Sequence, residues 1–388
     1  MPWVVQVLAV FAVGRLVSTA IFLLAAARQG PSPWAGPAPG YGTFINFWDS
    51  GWYERIFREG YPTGLPQDAL GAVTHNQWAF YPLYPGLVRG LAAATGLEWG
   101  VLAPVVSVAS AAAASLVIYR LFRLRAEHRT ALAGVAVVSL APVAAILQVP
   151  YAESLHLLLL ASALYLVASG RYVAAMPVAV LLGLARPAGV PFAIAVGLLF
   201  LQALWIARRG SDPEVRDEAA ARTLPLFLLG VVSSAAAVAW PLIAWVVTGR
   251  PTAYVDTETA WRGEALVPFL PWFEAPAAVV GPAAGALVVV GLVVGVVGLS
   301  LAPSVRSIGR VPGAWCAAYL LYLAAFWDPQ SSTWRILLPL FPLALAVATP
   351  RRGRPLWVLL PVCVVLQFLW VDWLWAWTPT GADGDYPP

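Results

Sequence analysis

Residues 4–27 read VVQVLAVFAVGRLVSTAIFLLAAA, an apolar run in which Gln6 and Arg15 are the strongly polar members. A transmembrane helix needs about 20 apolar residues, so this stretch is long enough to cross a bilayer. A secretory signal peptide fits it poorly. There is no basic n-region, the run exceeds an h-region, and Arg15 sits in its middle. It is therefore expected to be a retained first span, and its reading sets the fold class for everything that follows.

The rest of the chain repeats the pattern. Of 388 residues, 60% are apolar and 11% charged, against about 45–50% and about 25% in soluble domains. Further apolar runs fall near 100–122, 130–149, 152–169, 172–186, 188–207, 223–247, 277–301, 313–327, 336–349 and 355–376, which makes eleven candidate spans. The expectation is an all-α polytopic membrane protein, one transmembrane domain over residues 1–388. Cys316 and Cys363 both lie inside apolar runs, which excludes a disulfide framework or a cysteine metal cluster. The net charge of +4 comes from arginines scattered among loops, so no basic surface for nucleic acid is indicated.

Arginine placement orients the chain, because cytoplasmic loops accumulate basic residues. One set of alternate loops holds fourteen arginines, among them Arg120 to Arg129, Arg208 to Arg222 and Arg351 to Arg354, while the other set holds seven. The N terminus is thus expected inside, and the tail with Asp383 and Asp385 outside, in a multi-pass protein of the plasma membrane. Asp383-Gly-Asp385 imitates a metal-binding Asp-x-Asp, but it lies in a polar tail and is not read as a site.

The external side then carries the long segments 28–99, 249–276 and 327–335. A non-spanning stretch as long as 28–99 among short loops is usually functional. It contains FWDSGWYERIFREGYP over Phe47–Pro62, where Glu54 with Arg58 and Arg55 with Glu59 stand at i, i+4, and Trp48, Trp52, Ile56 and Phe57 lie to the other side. This predicts a short amphipathic helix resting among membrane lipids at headgroup level. His75-Asn-Gln-Trp-Ala-Phe-Tyr-Pro-Leu-Tyr-Pro85 reads as a second interfacial or re-entrant piece.

Polar groups collect on this one side: Asp49, Glu54, His75, Asn76 and Gln77 in the first loop; Glu153 in Pro150-Tyr-Ala-Glu-Ser; Arg186; Asp256, Glu258 and Glu264; and Gln330 to Arg335. An acid in a loop, with arginines at the ends of two distant spans, suits displacement at a sugar carbon whose leaving group is a lipid phosphate. The acceptor hydroxyl needs a carboxylate base, and the departing phosphate needs a planar cation.

Five segments resemble the bacterial relatives of the PIG-V mannosyltransferases, in the GT-C glycosyltransferase superfamily. They are Phe47–Pro62, Phe80-Tyr-Pro-Leu-Tyr-Pro85, Pro150-Tyr-Ala-Glu153-Ser, Leu184-Ala-Arg-Pro-Ala-Gly189 and Trp334-Arg-Ile-Leu-Leu-Pro-Leu-Phe-Pro342. The Trp-Asp-x-x-Trp-Tyr segment after a first span is the most specific of these. Ile336 departs from the aromatic that often follows the late arginine in the family. The resemblance implies a GT-C-like bundle and places Asp49 at the first-loop catalytic acid. It also implies a polyprenyl-phosphate sugar donor, with mannose as the sugar, and a lipid or glycan acceptor. Arg335 and Arg186 become donor-phosphate candidates, and Glu153, His75, Asn76, Trp52 and Tyr53 substrate-binding candidates. No cofactor and no metal are expected, Asp256 with Glu258 being the one acidic pair that could contradict this.

Plainer roles exist for each residue. Asp49 could cap the interfacial helix, Glu153 could answer a helix N-terminus, and Arg186 and Arg335 could snorkel to headgroups. His75 could be an ordinary loop histidine, while Arg15 and Arg89 are expected to snorkel or to be paired within the bundle. A transporter or lipid flippase is the competing function. It would favour an internal repeat with ionisable residues near the midplane at corresponding places in the two halves; no such repeat is visible, and the polar groups gather at one membrane face.

Overall fold

The computed structural model describes residues 1–263, 267–326, 331–349 and 356–379. Glu264, Gln330, Arg351, Arg352, Arg354, Asp383 and Asp385 lie outside the described residues, as does the C terminus. The α-helices are α1 Trp3–Ala26, α2 Tyr41–Phe44, α3 Ser50–Glu59, α4 Leu83–Thr95, α5 Trp99–Arg123 and α6 His128–Leu140. Next come α7 Glu153–Ala168, α8 Tyr172–Ala185, α9 Gly189–Arg209, α10 Pro213–Thr248, α11 Ala253–Arg262 and α12 Pro271–Val280. The last are α13 Pro282–Leu301, α14 Pro303–Arg306, α15 Arg310–Phe326, α16 Thr333–Ile336, α17 Leu343–Ala348 and α18 Leu356–Trp370.

The protein is helical and polytopic, and fewer than the expected eleven runs form long unbroken helices among the described residues. Among the described residues six helices are long and apolar enough to cross a membrane: α1, α5, α9, α10, α13, and α18 with its extension to Trp375. Proline explains much of the difference, because it removes a backbone donor and disfavours helix at the residue before it. The run 130–149 breaks at Ala141-Pro142 and resumes as a 3₁₀ turn, Ala144–Gln148. The run 336–349 breaks around Pro339 and Pro342 into α16, a 3₁₀ turn at Leu338–Leu340 and the short α17.

A helix broken inside an apolar surrounding leaves carbonyls that need donors. Arg15, in the middle of α1, supplies them: Nη1 donates to Ala144 O at 2.7 Å and to Gln148 Oε1 at 3.2 Å, and Nη2 to Ser139 O at 3.0 Å. Gln367 of α18 covers Ala141 O at 3.0 Å and is itself held by Ser18. The neighbouring Gly14 lets α1 approach, since a Cβ there would stand 2.6 Å from Ser139 O. Arg15 is thus paired within the bundle.

The long segment after α1 contains the expected amphipathic helix. In α3, Arg58 pairs with Glu54 at 2.6 Å and Arg55 with Glu59 at 2.9 Å, while Ser50, Tyr53 and Ile56 are buried. The second piece is longer than its sequence suggested. After a 3₁₀ turn at Gln77–Ala79, the chain enters α4, whose Pro85 falls in the first turn, where a proline is tolerated. Arg89 of α4 donates to Phe57 O of α3 at 2.6 Å.

The chain divides into two compact units, residues 1–60, 82–162 and 331–388 forming one, and 61–81 and 163–330 the other. In the first, α1 packs on α5 and α6, and α6 on α17 and α18. In the second, α9 and α10 pack together with α8 and α15, and α12 folds onto α13. There the 61–81 segment is anchored through an aromatic core of Trp78, Tyr81 and Trp240, with Ala244 and Ala253. Trp240 Nε1 donates to Trp78 O at 3.0 Å, and Trp78 Nε1 to Pro62 O at 3.1 Å.

Candidate active site

Asp49 stands at the N-cap of α3, yet its side chain makes no capping hydrogen bond. The capping role weighed from sequence is therefore not the one observed. Asp49 Oδ2 lies 2.6 Å from Arg335 Nη1, and Glu153 Oε1 lies 3.4 Å from the same nitrogen. All three belong to the first unit, so three segments far apart in sequence converge on one guanidinium.

The surroundings pin this arrangement. Trp48, just before Asp49, holds φ at +61°, a conformation that costs a non-glycine residue about 1–3 kcal/mol and persists where neighbours over-determine it. Trp48 Nε1 donates to Trp375 O at 2.7 Å, and Trp375 Nε1 to Phe44 O at 3.0 Å. The Asp49 backbone N–H donates to Tyr151 Oη at 2.9 Å, and that hydroxyl donates to Phe47 O at 3.2 Å. The Tyr151 ring also lies under the Arg335 guanidinium, 5.5 Å from Cζ to centroid, within cation–π range. Tyr151 belongs to the Pro150-Tyr-Ala-Glu motif but had no assigned role. Its position in that motif was the available signal.

Burial sets the electrostatics. The side chains of Asp49 and Arg335 are 14% and 12% exposed, that of Glu153 only 4%. Burial alone would lower the basicity of Arg335, but Asp49 and Glu153 outweigh it and hold the guanidinium above its ordinary pKa. Burial, reinforced by Asp49, pushes the Tyr151 phenol well above its ordinary range, so it stays a donor. Two carboxylates around one cation leave a formal charge of −1. The pairing with Arg335 runs through Asp49 Oδ2, and Oδ1 accepts no hydrogen bond from any described residue. Arg335 Nε is buried without a hydrogen-bond partner among the described residues.

The other candidates are distributed unevenly. Tyr53 is buried on α3, its ring 5.5 Å from Tyr84 and 6.0 Å from Tyr151. Trp52 lies on the same helix, with the Arg55 guanidinium 5.8 Å over its ring. Arg186, His75 and Asn76 belong to the second unit. There Asn76 is fully buried and occupied by protein: it bonds Thr74 O at 2.9 Å and Thr257 Oγ1 at 3.1 Å, and caps the following turn through Trp78 N. That pattern makes it a brace for the loop. His75 stacks on Trp261 at 4.2 Å, with Nε2 3.1 Å from Ala260 O. Among the described residues no group of three or more His, Cys, Asp and Glu side chains converges as a metal site.

No family model matches the chain, and no curated protein matches it. Solved structures of the oligosaccharyltransferase of Archaeoglobus fulgidus are similar to it. One is the archaeal enzyme AglB in complex with an inhibitory peptide and a dolichol-phosphate, at 13% identity and a TM-score of 0.47, over 97% of this chain and 56% of that one. Another, tethered to an acceptor peptide, is 14% identical with a TM-score of 0.47, over 96% of this chain and 56% of that one. The chain thus spans little more than half the length of these structures. Scores at this level describe a loose correspondence of backbone, from which no residue role is carried over.

Proposed function

We propose that the protein is a membrane glycosyltransferase of the GT-C kind. In this reading it moves a hexose from a polyprenyl-phosphate donor to a hydroxyl of a lipid- or glycan-linked acceptor. The observation that carries the reading is Asp49: a carboxylate fixed through Oδ2 by Arg335, with Oδ1 left for a proton. A base positioned in this way suits removal of the acceptor proton as its oxygen attacks the sugar carbon. The bond from that carbon to the phosphate then breaks, and the lipid phosphate leaves with the electron pair. Glu153 shares Arg335 but is nearly closed off, which favours one displacement with inversion over a covalent intermediate.

Arg335 acts first as a positioning residue for Asp49 and is proposed to meet the donor phosphate; Arg186, in the second unit, is a separate candidate for a phosphate contact. Mannose as the sugar rests on the PIG-V resemblance, and the external, plasma-membrane placement on the arginine bias. The test supplies purified protein with radiolabelled polyprenyl-phosphate mannose and a membrane extract as acceptor source. Transfer of label, lost in Asp49→Asn, is the expected result. Transfer from GDP-mannose in the complete absence of polyprenyl phosphate would overturn the lipid donor, and preference for another lipid-linked sugar would overturn mannose alone.

A further inference from the structure

After α18 the chain makes a π-helical turn, Val371–Trp375, and leaves it at Ala376 in an extended conformation. This segment is tied to the residues that follow α1, within the same unit. Asp372 pairs with Arg28 at 2.6 Å. The side-chain amide of Gln29 meets the Trp377 backbone twice: Nε2 donates to Trp377 O at 2.8 Å, and Trp377 N–H donates to Gln29 Oε1 at 2.9 Å. Between these two ties stands Trp375, which is fully buried. Its Nε1 donates to Phe44 O at 3.0 Å, and its carbonyl accepts from Trp48 Nε1 at 2.7 Å. The two polar ends of one residue thus bracket the turn Phe44–Trp48, which leads directly into Asp49. The Trp375 ring also lies 5.6 Å from that of Tyr151, whose hydroxyl accepts the Asp49 amide.

We infer that Trp375 is a positioning residue for Asp49: it clamps the turn Phe44–Trp48 and so aims the carboxylate at Arg335. Trp48 holds φ at +61°, which a non-glycine residue keeps only where its neighbours over-determine it. Trp375 O holds Trp48 on one side of the following peptide, and Tyr151 Oη holds the Asp49 amide on the other. Were Trp48 to relax to negative φ, that peptide would rotate and swing the Asp49 side chain off its 2.6 Å contact with Arg335. A buried tryptophan that only fills a core needs one partner for its indole N–H. Trp375 has that partner in Phe44 O and adds its own carbonyl to the strained residue. Of the two outer ties, the exposed Arg28–Asp372 pair contributes little, whereas Gln29 is buried and makes the stronger anchor through Trp377. The inference deepens the transferase reading and rests on it for its kinetic consequence; the clamp itself consists of hydrogen bonds.

The experiment uses the full chain in detergent micelles with two variants, Trp375→Phe and Trp48→Phe. Each keeps an aromatic ring and loses the indole N–H of one clamp bond, so a folding failure in one leaves the other to decide. Hydrogen–deuterium exchange of peptides covering residues 44–52 reads the clamp without any reaction. Exchange there is expected to rise about five-fold or more in both variants, as for loss of a buried hydrogen bond, while α6 exchanges as in the parent. Initial rates with labelled polyprenyl-phosphate hexose read the consequence. Turnover should fall about ten- to hundred-fold with the donor KM within about two-fold, because a small misplacement of a reacting group costs rate. In the Asp49→Asn background the same substitutions should change the residual rate by less than about two-fold, since residues acting through one group are not additive. Parental exchange over 44–52 in both variants would overturn the inference. An equal fractional loss of rate with and without the Asp49 carboxylate would also overturn it, making Trp375 a support of the whole unit. If the parent transfers no sugar, the transferase reading falls, and the exchange result alone upholds or overturns the clamp.

Discussion

Asp49 Oδ2 lies 2.6 Å from Arg335 Nη1, joining the segment between α1 and α3 to a short helix late in the chain. The acid at an N-cap position turns one carboxylate oxygen to a distant cation, and α3 begins without its help. A residue kept for helix stability would do the opposite. The adjacent Trp48, at φ +61°, and the Tyr151 hydroxyl on the Asp49 amide show that the backbone is shaped to hold this side chain in place.

Asp49→Asn has nearly the same shape and loses no cap, and Glu153 still answers Arg335, so the variant is expected to fold and insert, with an unfolding midpoint somewhat lowered by the weakened ion pair. Removing a positioned base costs about 10²- to 10⁴-fold in rate. Initial rates with labelled polyprenyl-phosphate hexose, read beside the thermal unfolding midpoint, check both halves. Near-parental turnover would leave Asp49 as a structural ion-pair partner.

Arg335 separates geometry from charge. Arg335→Lys keeps the cation but loses the planar group that serves two carboxylates and lies over Tyr151, so turnover should fall while the fold survives. Arg335→Gln leaves Asp49 and Glu153 facing one another with no cation. Breaking a buried pair in this way costs about 3–5 kcal/mol, and the Gln variant should unfold at a clearly lower temperature than the Lys variant. Equal unfolding temperatures would mean that the pairing contributes little.

The helical, membrane-spanning architecture was legible because about 20 apolar residues in a row permit little else, and α3 was legible from its i, i+4 charge pairs. The breaks in 130–149 and 336–349 were visible as prolines, but the compensation was not. Nothing near Arg15 in sequence points to the carbonyls of Ser139 and Ala144. The site followed the same division. Asp49, Glu153 and Arg335 were each singled out by residue type and motif, but their sharing of one nitrogen is a long-range fact. Asn76 looked like a substrate contact and proved to be buried bracing, because a polar side chain in a loop reads alike in both roles.

Gly14→Ala tests the packing of α1 on the broken helix. The added Cβ would stand 2.6 Å from Ser139 O, the same carbonyl that Arg15 Nη2 reaches at 3.0 Å. Overpacking of this kind costs about 1–3 kcal/mol, so the unfolding midpoint should drop, while the specific activity of the folded fraction stays near that of the parent. An unchanged midpoint would show that α1 shifts freely.

Glu258 gives the chain a stability term that runs against the usual carboxylate direction. Burial raises its pKa, with the Tyr254 hydrogen bond and the Arg262 charge pulling it partly back. A carboxyl whose pKa is higher in the folded chain binds its proton more tightly there. It favours folding below its unfolded value of about 4.3, and that contribution is lost as pH rises through the folded value. Glu258→Gln cannot ionise and should match the parent near about pH 4.5. Near about pH 7.5 it should be the more stable of the two, because the parent alone must carry a buried charge. Thermal unfolding of both proteins in the same detergent at the two pH values decides it. If the parent is the more stable at the higher pH, the attraction to Arg262 outweighs burial, and Glu258 is an ion-pair partner in the folded chain.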